Sequence, residues 1–311
     1  MKKHRMRVQL IFNPISGSAD ESSAQLMEII GEMQALNLVP EAYLVDPDSD
    51  LPAAVHKALQ QGIRMFVVCG GDGTIDVVAG ALAGTPATLG IIPTGTRNNV
   101  ALSLGIPTDI PAAVAILRTG RCIKVDIGLV TCCTMKRPFV EACSVGLLSA
   151  LFPAADDIQH GNLARIGDLL AVLATSPPTE MRLVLDGKKK IRTLCHVALI
   201  SNMPYVGPNY QVSAAASAHD GLLDVLVFAD LSKLDLLGYA IQMAGSQVAG
   251  DGLEDPRIQH YQVRRIDIDT DPAMLVMTDG TTLGEGPVRV SVQRHALAVM
   301  VGEPAVGSPP G

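Results

Sequence analysis

The sequence has 311 residues, 48% of them apolar and 18% charged, with a formal net charge of −7. Its length makes two domains the default, and the apolar share together with 29 glycines describes a globular chain of buried strands and tight turns. The negative balance, an aromatic share of 3% and the lack of tryptophan speak against a nucleic-acid partner, which needs basic faces and stacking platforms.

Val8-Gln9-Leu10-Ile11-Phe12 is a β-forming run that stops at Asn13-Pro14 and a Ser-Gly turn, so it reads as a first strand. Asp20 to Leu38 carries Leu26, Ile29, Ile30, Met33 and Leu36 at helical spacing, and Ala42 to Val45 reads as a second strand. Pro52 opens a helix through Leu59 that Gly62 closes, and Met65 to Cys69 is a third, buried strand. A helix over Ile75 to Leu82, a strand over Leu89 to Ile92 and a helix beginning near Asn98 continue the alternation. Strand and helix in turn imply a doubly wound, mostly parallel α/β sheet, whose ligands sit beyond the carboxyl ends of the strands.

After a helix over Pro111 to Leu117 the texture becomes strand-like, at Ile123 to Gly128 and Phe139 to Gly146, then Met181 to Val184, Cys195 to Ser201 and Leu223 to Phe228. Helices are expected over Leu163 to Ala174 and Lys233 to Met243, the latter capped by Ser232. The expected division is an α/β nucleotide-binding domain over 1–124, completed by about 290–303, a C-terminal β-sandwich domain over 125–289, and a disordered Gly- and Pro-rich tail over 304–311.

The six cysteines show no CxxC spacing, which reads as reduced core residues rather than a zinc site. No run of about 18 apolar residues is present. The start, Met1 to Arg7, lacks a signal-peptide core, so a cytoplasmic protein is expected. That basic start suits peripheral contact with an anionic inner membrane face, at about 1 kcal/mol per Lys or Arg.

Gly70-Gly71-Asp72-Gly73-Thr74 lies between a buried strand and a helix, where glycines let backbone N–H groups approach a phosphate and the helix adds its positive end. Two more turns end neighbouring strands, Asn13-Pro14-Ile15-Ser16-Gly17 and Pro93-Thr94-Gly95-Thr96-Arg97-Asn98-Asn99. With these three turns in order the sequence resembles the diacylglycerol kinase catalytic family, related to the sphingosine kinases and more distantly to the NAD kinases. Val125-Asp126-Ile127-Gly128, His219 to Asp224 and Thr278-Asp279-Gly280 fall where that family has its later elements.

The resemblance implies ATP in a cleft between two domains, with Asn13, Ser16, Gly70, Gly71, Asp72, Gly73, Thr74 and Thr96 on the nucleotide. It implies a magnesium ion on Asp220 and the carbonyl of Leu222, a lipid alcohol such as diacylglycerol as phosphoryl acceptor, and leaves a homodimer open. Asp279 is the candidate base. The family's glutamate two positions on is here Thr281, whose hydroxyl cannot take that role, so Asp279 or Glu285 serves or turnover is lost. Asp76, Arg97, Asn99 and Ser217 are further departures, Arg97 being suited to a phosphate. A catalytically impaired nucleotide or lipid binder and an NAD-kinase-like enzyme are the alternatives.

Overall fold

The computed structural model describes residues 5–14, 19–147, 179–207, 210–213, 216–229, 235 and 257–303. The expected helices over Leu163 to Ala174 and Lys233 to Met243, the tail over 304–311 and Ser16 lie outside the described residues, apart from single residue 235. The chain divides into two compact units, Met1–Val125 with His295–Gly311, and Asp126–Arg294.

The first unit runs β1 (Met6–Phe12), α1 (Ala19–Ala35), β2 (Leu38–Leu44), α2 (Leu51–Gln60), β3 (Met65–Gly70), α3 (Asp72–Leu82), β4 (Thr88–Pro93), α4 (Asn99–Ser103), α5 (Ile110–Thr119) and the start of β5 (Arg121–Cys132). Neighbours β2, β1, β3 and β4 pair in that order and all in parallel. Ala298 and Val299 add a further parallel strand beside Thr88 and Leu89 of β4. α1 packs with α5, and α2 with α3, so the sheet is covered on two sides as the alternation predicts. β3 is buried at every position, and Phe12, Phe66, Ile75 and Leu82 are among the largest fully enclosed side chains. Each such side chain contributes roughly 1.5–3 kcal/mol by leaving water.

The first helix stops sooner than its apolar stripe suggests. Asn37 adopts φ +60, and its N–H returns to the carbonyl of Gln34, so Leu38 already begins β2. Asparagine tolerates this left-handed geometry because its short polar side chain bonds locally. Asp50 and Asp109 cap α2 and α5 by accepting from Ala53 and Ala112, each followed by a proline within the first turn.

The second unit continues β5 and adds β6 (Met135–Phe139), β7 (Ala142–Gly146), β8 (Thr179–Leu185), β9 (Lys189–Ser201), β10 (Tyr205–Val206), β11 (Tyr210–Gln211), β12 (Leu223–Ala229), β13 (Ile258–Val263), β14 (Arg265–Asp271), β15 (Leu275–Thr278), β16 (Thr281–Glu285) and β17 (Val288–Val301), whose end belongs to the first unit. Its pairings are antiparallel. β9 is the branch point. Lys189 to Leu194 alternate exposed and half-buried beside β8, whereas Cys195 to Ser201 are buried at every position, paired with β7 and β12. A strand enclosed on both faces loses its alternation, as an inner layer of a sandwich must. Val130, Phe139, Met181, Leu183, Ile200, Val225, Ile266 and Val290 form the core of this unit.

Four cysteines, Cys69, Cys132, Cys143 and Cys195, are buried and unbridged, and burial pushes the thiols of Cys69 up to about 11 and of Cys195 up to about 12. They are core side chains without nucleophilic character at neutral pH.

On the outer face, Asp267 of β14 accepts from Arg289 at 2.5 Å across the strand pair and from Arg265 at 2.7 Å. Desolvation raises its carboxyl, but the hydrogen bonds and charges of the two guanidiniums outweigh that and hold it below the ordinary value. Asp267→Asn is expected to cost about 0.5–1 kcal/mol at pH 7 in urea unfolding, the range for a screened surface pair. Because the folded pKa is depressed, this stability is present above the unfolded value of about 3.9 and disappears as pH falls through the folded one. The variant and the parent should therefore converge in strong acid.

Candidate functional site

Strand order 2-1-3-4 reverses direction between β1 and β3, and a crevice forms beyond the carboxyl ends at such a switch. Asn13 follows β1 there, and Gly71 follows β3. Asn13 donates from its backbone to the carbonyl of Cys69 at 2.9 Å and from its side-chain amide to Thr74 Oγ1 at 2.7 Å, tying the first turn to the second. Thr94 donates its N–H to the carbonyl of Gly70 at 3.2 Å, which ties the second turn to the third.

The closest approach of the second and third turns is between two glycines. A Cβ on Gly71 would lie 3.2 Å from the Cα of Gly95, and a Cβ on Gly95 would drive into the Cα of Gly71. Asp72 then locks the pair: its Oδ2 accepts from the N–H of Asn99 at 3.0 Å and its Oδ1 from that of Val100 at 3.1 Å, so its carboxylate caps the start of α4. Burial raises the Asp72 carboxyl above its usual range, opposed by these amides and by the nearby Arg97 guanidinium. Asn98, at φ 56, closes the third turn on itself, accepting from Gly95 N–H at 3.0 Å and donating to Gly95 carbonyl at 2.7 Å.

α3 begins at Asp72, earlier than the apolar pattern shows, and its N-cap Gly71 supplies no side-chain cap. The first N–H groups of a helix have no intrahelical acceptor, so this end presents donors and a positive dipole. Gly73 is open, with nothing within 4 Å of a Cβ placed there, and Thr96 is exposed on the third turn. The first unit thus gathers Asn13, Gly70, Gly71, Asp72, Gly73 and Thr74 with the turn that carries Thr96.

Asp279 and Gly280 form the two-residue loop between β15 and β16, at φ 40 and 77. Asp-Gly is the pair that a type I′ hairpin demands. The carboxylate of Asp279 accepts from three successive backbone amides: Val140 at 2.6 Å, Glu141 at 3.2 Å and Ala142 at 2.9 Å. Its own N–H donates to the carbonyl of Ala142 at 3.1 Å. Both carboxylate oxygens are thus turned onto the backbone before and at the start of β7, a geometry that makes Asp279, the candidate base, a clamp on that strand. Asp279→Ala would leave three amides without their acceptor and is expected to cost at least about 3 kcal/mol in unfolding.

In the second unit Asp220 Oδ1 accepts from the N–H of Leu222 at 2.9 Å. Desolvation raises its carboxyl, as do the charges of Asp224 and Asp126, against the opposing Leu222 amide and His219. The other two carboxylates are engaged as well: Asp126 Oδ2 accepts from Gly221 N–H at 2.7 Å, and Asp224 Oδ1 meets His260 Nε2 at 2.7 Å and Gln262 at 3.2 Å. Among the described residues no group of three or more His, Cys, Asp or Glu side chains is gathered to hold a metal. The local excess of negative charge fits a hard cation, one that takes few protein ligands and keeps water. Ser217, in place of a carboxylate, pairs with His219 Nδ1 at 3.2 Å.

Sequence reasoning missed the buried Asn202. It donates to the carbonyls of Asp126 and Val140 at 3.0 and 2.9 Å and so joins the Val125 to Gly128 segment to the backbone that holds Asp279. A lone amide after seven buried strand positions was its signal.

Residues 7–130 match the diacylglycerol kinase catalytic domain, and residues 149–301 the YegS C-terminal NAD kinase beta sandwich-like domain. The chain belongs to the diacylglycerol kinase-like family. Among relatives of this family, the diacylglycerol kinase of Mycobacterium tuberculosis is 28% identical, over 96% of this chain and 97% of that one. That of Bacillus subtilis is 27% identical, over 96% and 98%. A crystal structure of a diacylglycerol kinase from Bacillus anthracis, 21% identical, superimposes with a TM-score of 0.73 over 98% of this chain and all of that one. At that identity the likeness speaks for the fold, an α/β domain with a parallel sheet followed by a β-sandwich-like domain. Among the described residues no helix is long and apolar enough to cross a membrane.

Proposed function

We propose that the chain is an ATP-dependent lipid kinase that transfers the γ-phosphate to the hydroxyl of diacylglycerol or a related lipid. The observation that carries this reading is the backbone contact of Gly71 with Gly95, held by Asp72 at the β1/β3 switch beside the uncapped start of α3. Side-chain-free backbone, N–H donors and a helix dipole together make a site for polyphosphate rather than for an apolar ligand.

Gly71, Gly73 and Thr74 would face the phosphates, Asn13 and Asp72 would hold the loops, and Ser16 and Thr96 would close on the nucleotide from their turns. Arg97, already near Asp72, adds a cation that a phosphate would attract. Magnesium would be held by Asp220 and the carbonyl of Leu222 with water completing its shell; bound there it neutralises the carboxylates around the Asp220 turn. The acceptor enters through the names of the relatives, which are diacylglycerol kinases.

The test is incubation of the protein with labelled ATP, magnesium and mixed micelles of diacylglycerol or other lipid alcohols, with NAD as a separate acceptor. A labelled phospholipid is expected. Labelled NADP would instead assign an NAD kinase, and no product of either kind would overturn the transfer reading. The engagement of Asp279 by three amides favours one second reading, a chain that binds nucleotide without turnover. In that case calorimetry shows ATP uptake and the micelles stay unlabelled.

A further inference from the structure

Consecutive side chains of a strand point to opposite faces, so neighbouring cysteines at the end of β5 should stand apart. Cys132 and Cys133 do not. Cys132 is the last residue of β5 and pairs with Met135, and Cys133 and Thr134 make the loop to β6. Cys133 adopts φ 53, a left-handed geometry that a residue other than glycine rarely takes, and the alternation breaks there. The two sulfurs lie 3.7 Å apart, both as free thiols. Cys133 donates its thiol proton to the carbonyl of Glu285 at 3.2 Å, so within the sulfur pair Cys132 is the donor.

The two differ in reach. Cys132 is buried, whereas Cys133 is exposed and borders a groove of about 670 Å³ that Arg182, Lys190, Ile191 and Arg289 also line. A small solute therefore meets Cys133 first. Burial, and after it the hydrogen bond and charge of Cys133, raise the Cys132 thiol, which keeps it inert toward dissolved reagents. An activated sulfur held beside it is a different case, because well-oriented intramolecular reactants reach effective molarities of about 10⁵ M or more. Among the described residues no other two thiols are in contact, and Cys122 is exposed by itself.

We propose that Cys132 and Cys133 are a site of oxidative modification, a dithiol that a hydroperoxide closes to a disulfide between adjacent residues. The Cys133 sulfur attacks one oxygen of hydrogen peroxide. The O–O bond breaks, and the departing oxygen keeps the electron pair, takes the thiol proton and leaves as water, with Cys133 now a sulfenic acid. The Cys132 sulfur then attacks the Cys133 sulfur. The S–O bond breaks, and the hydroxyl leaves with the Cys132 proton as a second water. The two thiols have given up the two electrons that the peroxide gains. Closure draws the sulfurs from 3.7 Å to about 2.05 Å and withdraws the thiol donor from the Glu285 carbonyl. None of this depends on the transfer reading above.

The experiment treats the reduced full chain with hydrogen peroxide, at a dose that oxidises Cys122, in the presence of dimedone to trap sulfenic acids. Remaining thiols are alkylated in denaturant, and tryptic peptides are weighed. Val125 to Lys136 carries Cys132 and Cys133 and no other cysteine. Most of this peptide is expected without alkyl groups and lighter than the dithiol by two hydrogens, and dithiothreitol should return it to the doubly alkylated form. Cys122 in the same sample should carry dimedone. In Cys132→Ser the dimedone should appear on Cys133, which has lost its resolving partner; if that variant melts early, Cys132→Ala takes its place. Cys133→Ser should leave Cys132 fully alkylated. A parent peptide that stays doubly alkylated overturns the proposal. So does dimedone on Cys133 of the parent beside an alkylated Cys132, or a cross-link from Cys132 to the peptide that holds Cys143.

Discussion

Asp72→Ala is expected to abolish transfer, with turnover down on the order of 10³-fold and ATP uptake in calorimetry lost with it. Asp72 is half-buried and accepts from Asn99 and Val100, so its carboxylate is the cap that α4 does not find in its own sequence. Removing it leaves two amides unsatisfied and lets the third turn drift from the glycine loop; a displacement of about 1 Å accounts for about 10²-fold of the loss, and phosphate-binding amides that move with the loop for the rest. The global cost should be smaller, about 2–3 kcal/mol in urea unfolding. Part of that cost is offset because burial already raises the Asp72 carboxyl. A raised folded pKa means that the folded chain binds the proton more readily than the unfolded one. Its contribution to stability therefore grows as pH falls from neutrality toward the unfolded value of about 3.9, and Asp72→Asn should flatten that slope. Full transfer by Asp72→Ala would show that the two turns stay together without it.

Gly95→Ala should be nearly as severe, through shape rather than charge. Its methyl group would collide with the Cα of Gly71 and lie 3.0 Å from Asn98 Oδ1, so neither neighbour offers a flexible end that can swing away. The turn must part from the glycine loop, and overpacking of this kind costs roughly 1–3 kcal/mol. Affinity for ATP is expected to fall on the order of 10²-fold, since phosphate-binding amides on both sides of the contact move. Gly73→Ala is the matched comparison: a Cβ there meets nothing within 4 Å, so folding should be unchanged while any loss of affinity reports phosphate contact alone. A Gly95→Ala chain that melts and binds ATP as its parent does would refute the contact as the organiser of the site.

The α/β order of the first unit was legible because β3 and its neighbours are apolar runs closed by Gly, Pro, Asn or Asp, signals that act within a few residues. Boundaries slipped where one residue's conformation decided them. Asn37 ends α1 by turning left-handed although Leu36 and Leu38 keep the helical stripe going, and Asp72 starts α3 before its apolar face begins. The glycine loop was legible for the same local reason, while what holds it was not: the amides of Asn99 and Val100 lie 27 and 28 residues from Asp72. Asp279 shows the limit most sharply. A motif names the carboxylate, but only the fold reveals that residues more than 130 positions earlier supply the amides that occupy it.

The sheet of the first unit takes its last strand from Ala298 and Val299, beside Thr88 and Leu89. During vectorial synthesis a ribosome delivers β1 to β4 long before that partner emerges, so β4 waits with unpaired N–H and C=O groups along one side. An open apolar edge of this kind recruits other chains. That edge of β4 is closed only when nearly 300 residues are out, and expressing residues 1–125 alone leaves it without this partner.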